Sequence, residues 1–123
     1  MVRKLGLLMG LCLPMTSQAQ DFIYPDGFVL TSEPGTWRAR GVASPSVAYD
    51  DDNDEFVMFY TARFPDEYIA TLSEDYSGCT AGVFGIGRAV SPDGINWTPD
   101  PADGPVIAPV PDTYRACHVA RVP

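Results

Sequence analysis

Between Phe84 and Ser91 the chain alternates, with Ile86, Arg88 and Val90 interleaved with Gly87 and Ala89. That period of two sends one set of side chains to each face of a sheet. Ser91-Pro92-Asp93-Gly94 follows with turn chemistry: Pro sets φ, Asp bonds back to nearby N–H groups, and Gly accepts positive φ. Ile95 and Trp97 resume the alternation, so the pattern predicts a hairpin with strands over 84–91 and 95–98. Upstream, Glu55-Phe-Val-Met-Phe-Tyr-Thr-Ala62 is the richest run of aromatic and β-branched residues and predicts a strand over 56–62. Pro45-Ser-Val-Ala-Tyr49, short and mostly apolar, predicts a strand over 45–49 buried on both faces. Asp50, Asp52 and Asp54 carry oxygen ligands that would suit calcium. The loop glycine and closing glutamate of such a site are missing, and a solvated hairpin turn accounts for the stretch. Proline and glycine punctuate the rest, so no helix longer than a turn or two is expected, and the fold class is all-β.

A partial repeat extends the picture. Thr31-Ser-Glu-Pro-Gly-Thr-Trp37 repeats the serine, glycine and tryptophan of Ser91 to Trp97 sixty residues earlier. Ala43-Ser-Pro follows the first Trp, and Ala120-Arg-Val-Pro123 follows the second. A unit of four short strands repeated at fixed spacing is the pattern of a β-propeller blade. One complete blade is expected at about 42–108, flanked by parts of two others. At about sixty residues per blade, a closed propeller needs roughly 240 residues, so the chain is expected to be a truncated piece of one. Residues 65–82 read as a long rim loop, the place where propellers tend to keep function.

Composition adds the setting. Arg3 and Lys4, the apolar run Leu5 to Leu13 and the small residues ending at Ala19 have the layout of a signal peptide over 1–19. The run is too short to span a bilayer. A secreted or periplasmic protein over 20–123 is expected, with no membrane attachment after cleavage. Without Arg3 and Lys4, six arginines face sixteen acids, a net charge of −10 that leaves no basic face for nucleic acid. Cys79 and Cys117 are the cysteines left after cleavage, and an oxidising compartment permits a disulfide between them. No cofactor or metal site is expected. His118 is the sole histidine and has no visible zinc partners.

The order Ser-Pro-Ser-Val-Ala-Tyr-Asp50, an acidic turn, Glu55-Phe-Val-Met-Phe-Tyr-Thr-Ala62, then Gly85-Ile-Gly-Arg-Ala-Val-Ser-Pro-Asp-Gly-Ile-Asn-Trp97 resembles a blade of the five-bladed propeller glycosidases. These include glycoside hydrolase families 43 and 32 and the related mannoside phosphorylases. The turn is one residue shorter between Asp93 and Gly94 than the Asp-box of sialidase-type propellers, which favours the five-bladed group. The resemblance implies a carbohydrate partner and, in a full-length parent, hydrolysis of glycosidic bonds by two funnel-facing carboxyl groups. It transfers no catalytic residue. An Asp-Pro pair opens an inner strand in that group, whereas Ser44-Pro45 and Val122-Pro123 stand at the matching places here. The catalytic acids are therefore expected outside this chain, or the protein is a non-catalytic propeller that binds glycans or serves as an interaction platform. Arg40, His118 and Arg121, just ahead of inner strands, are the candidate sugar-binding residues. Tyr60 and Arg63 at the end of the strongest strand are open between packing and sugar contact.

Overall fold

The computed structural model describes residues 29–119. The segment 1–19 expected to be a signal peptide, and Arg121, lie outside them. The strongest apolar run becomes β2 (Glu55–Arg63), and its alternation defines two unlike faces of one sheet. That sheet is a four-stranded antiparallel meander in which β2 lies between β1 (Val42–Asp50) and β3 (Phe84–Ser91), with β4 (Thr98–Pro99) beyond β3. A one-turn helix, α1 (Asp66–Ile69), starts the long connection from β2 to β3. The fold is all-β, as the alternation predicts.

Met58, Tyr60 and Ala62 point to one face and are buried, opposite Ala89, Gly87 and Gly85 of β3. Gly87 is there because Tyr60 lies across it: a Cβ at Gly87 would sit 2.3 Å from Tyr60 Cζ. Trp37 stacks on Tyr60 with ring centroids 6.1 Å apart and meets Phe64 edge-on at 5.8 Å. Its indole Nε1 donates to the Ala102 carbonyl at 3.1 Å, so the segment before β1 and the loop after β4 close over this face together. The opposite face carries Val57, Thr61 and Ile86, and Phe59 stands 45% exposed on it.

Two strands differ from the sequence pattern. β1 is mostly exposed, not buried on both faces, because among the described residues β2 is its one neighbour in the sheet. It also starts at Val42, before Pro45. Ser44 takes a positive φ of 52° where the pairing register shifts, and the bulge with the following proline breaks the ladder on an open edge. The fourth strand occupies Thr98–Pro99 instead of 95–98, because residues 92–97 are held in a loop by Asp93. The outer edge of β3 is then filled piecemeal. β4 pairs with Ala89 and Val90, Val106 and Ile107 bond to Ile86, and Cys117 and Val119 bond to Phe84.

Both tight hairpins lie at the same end of the sheet and use one device. The Asp93 carboxylate accepts from the N–H groups of Ile95 and Asn96 at 2.9 and 2.8 Å and from Asn96 Nδ2 at 2.7 Å. The Asp50 carboxylate accepts from the N–H groups of Asp52 and Asn53 and from Asn53 Nδ2 at 2.8 Å. Each turn is an Asp-x-x-Asn clasp in which the aspartate satisfies backbone donors that the turn leaves free. With its oxygens so engaged, Asp50 is a turn residue, and among the described residues no cluster of acids, histidines or cysteines is placed to hold a metal ion.

Candidate functional site

The opposite end of the sheet gathers the chemistry. Arg40 precedes β1, Arg63 ends β2 and Phe84 starts β3. The Arg63 N–H donates to the Gly41 carbonyl at 3.0 Å, and Arg63 pairs with Phe84 across the ladder. His118 reaches the same place from far along the chain. The Phe84 N–H donates to the Cys117 carbonyl at 2.9 Å and the Val119 N–H to the Phe84 carbonyl at 3.0 Å, which sets the His118 ring edge-on to Phe84 at 4.6 Å. A disulfide joins Cys79 to Cys117, with Cα atoms 5.4 Å apart, and fastens the long β2–β3 connection beside this bridge.

Arg40, Thr61, Arg63 and Phe84 line a shallow recess of about 210 Å³, with Val42 and Ala43 as its apolar wall. Arg63 is half-buried and held without a carboxylate. Its guanidinium carbon lies 5.8 Å from the Phe84 centroid, a cation–π contact, and its Nε would be 2.8 Å from a Cβ at Gly82. Gly82 has φ of +119°, so a glycine both turns the chain and lets the guanidinium lie against it. Among the described residues, Arg38 pairs with Glu33, and Arg88 with Glu55 and Asp100, whereas Arg40, Arg63 and, away from this recess, Arg115 have no acidic partner. Asp66 lines the adjoining recess, which Arg40 and Arg63 share, without reaching ion-pair distance. The buried Thr61 Oγ1 has no hydrogen-bond partner among the described residues.

Of the residues singled out by sequence, Arg40, Arg63 and His118 thus converge, while Tyr60 does not. The alternation of β2 sends Tyr60 to the packed face, where burial raises the pKa of its hydroxyl. That hydroxyl has no partner among the described residues. Phe84 and Gly82 went unnoticed in the sequence because their role follows from strand register, which the alternation alone does not supply. Chemically the cluster offers two unneutralised guanidinium forks, an imidazole, a hydroxyl and an aromatic surface; it offers binding groups and no pair of carboxyl groups. Compared with protein-family models, with curated proteins and with solved structures, the chain matches none.

Proposed function

We propose that this chain is a carbohydrate-contacting blade of a secreted, glycoside-hydrolase-like β-propeller. The observation that carries the reading is the convergence of Arg40, Arg63, Phe84 and His118 at the sheet end where β1 begins. Guanidinium forks and an aromatic surface are the groups that grip sugar hydroxyls and sugar C–H faces. The four-stranded meander with its short Asp-clasped hairpins supports a blade, and the exposed Phe59 face supports a neighbour stacked on it. In this reading the hydrolytic acids come from other blades. A second reading, a propeller that binds glycans without cleaving them, is favoured by the recess itself. Its lining includes no carboxylate and Asp66 is the one acid in the adjoining recess, whereas glycosidic hydrolysis needs two.

Retention on insoluble arabinan, xylan, fructan and mannan tests the shared part of both readings. The chain is expected to be retained on at least one, and Arg40→Gln or His118→Ala to release it. Failure on all four would remove the carbohydrate assignment. Turnover by a longer protein that contains this blade separates the two readings.

A further inference from the structure

We infer that the recess takes an acidic sugar, a uronate whose carboxylate is shared by Arg40 and Arg63 and whose ring rests against Phe84; this rests on the carbohydrate reading above. Charge balance is the first argument. The chain carries sixteen acids against eight basic residues, so arginines have ample carboxylates to pair with. Arg38 and Arg88 do so; Arg40, Arg63 and Arg115 have no acidic partner among the described residues, and of these three Arg40 and Arg63 share one recess. Two adjacent unneutralised cations repel each other, and an anion between them relieves the repulsion.

Preorganisation is the second argument. Arg63 is positioned by Gly82 and the Phe84 ring and donates no hydrogen bond to a side chain among the described residues, so its fork stays free for a ligand. A guanidinium held in place loses less entropy when it binds. The third argument is the wall. Val42, Ala43 and Phe84 would be left uncovered by a compact inorganic anion, whereas a sugar ring has an apolar face to lay on them. The exposed His118 imidazole, edge-on to Phe84, is a polar group beside the recess for ring hydroxyls to meet.

The test is calorimetric titration of the full oxidised chain with three probes: tri-galacturonate, neutral xylotriose, and acetate. Tri-galacturonate is expected to bind at least tenfold more tightly than xylotriose and to weaken as salt rises. Loss of one charge-assisted contact in Arg40→Gln should cost about tenfold in affinity. Arg40 is exposed, so that variant should keep the near-ultraviolet dichroism of the folded chain. Gly82→Ala, which displaces the Arg63 fork without removing charge, should also weaken tri-galacturonate, while Arg115→Gln, outside the recess, should not. Equal affinity for the acidic and neutral trisaccharides would overturn the inference and leave the carbohydrate reading standing. Binding of neither would overturn the inference, and the carbohydrate reading would then stand or fall on retention by the four polymers. Acetate competing as well as tri-galacturonate would show a general anion site and overturn the inference.

Discussion

Asp93 illustrates how one side chain carries a turn. Hydrogen bonds from the Asn96 and Ile95 N–H groups, the Asn96 amide and the Ser91 hydroxyl hold its carboxyl far below the usual carboxylate range. Asp50, held chiefly by the Asn53 side chain, and Asp75, held by the Ser77 N–H, shift the same way. A carboxyl with a folded pKa below its unfolded one adds stability that is full above about pH 4 and is lost as pH falls towards the folded value. Thermal unfolding followed from pH 6 to pH 2 should therefore show Tm falling below pH 4, with a shallower fall in Asp93→Asn, which should itself melt several degrees lower at pH 6. A second expectation concerns packing. Gly87→Ala drives a methyl into the Tyr60 ring and should cost about 1–3 kcal/mol by overpacking, read from urea unfolding monitored by tryptophan fluorescence. The clasp could be read from sequence because a turn is local chemistry among seven residues. The demand for glycine at 87 could not, since it exists only once Tyr60 is known to lie opposite.

At the level of elements, β2, β3 and the first hairpin follow the alternation closely, while β1 and β4 depart from it for reasons of neighbourhood. A short apolar strand reads as buried, yet burial depends on what lies beside it, and β1 has β2 alone. Ile95 and Trp97 keep the period of two, but the donors captured by Asp93 bend the chain before a ladder can form, and Trp97 turns its Nε1 to the Gly94 carbonyl at 3.0 Å. The echo between Trp37 and Trp97 does not give two like environments: Trp37 is 2% exposed in the core, and Trp97 is half-buried at a turn. The disulfide is the element with the largest expected single effect. It closes a separation of 38 residues, and by loop entropy its loss should cost about 4 kcal/mol. Cys79→Ser with Cys117→Ser, compared with the oxidised chain in urea, checks this figure. The same variant should weaken ligand retention, because the bridge positions the strand that carries His118.

For the whole molecule, the two hairpin turns and the candidate recess lie at opposite ends of the sheet. The hairpin acids sit at one end of the sheet, and the arginines, Phe84 and His118 at the other. Among the described residues no acid lines the recess of Arg40, Arg63 and Phe84, so the chain alone should not hydrolyse nitrophenyl arabinofuranoside, xyloside or mannoside, or fructan. Turnover that survives repurification and disappears when one acid becomes its amide would reverse that expectation. The two ends of the sheet are also fastened by bonds of different kinds: carboxylate-to-amide hydrogen bonds at one, a sulfur–sulfur bond at the other. Local opening should accordingly start at opposite ends depending on the solvent. Hydrogen exchange as pH falls below about 4 should first free the amides of Asp52, Asn53, Ile95 and Asn96, whereas a reductant at neutral pH should first free those of Phe84 and Val119. A sheet built this way would fray from its turns in strong acid and from its disulfide-fastened end in a reducing medium.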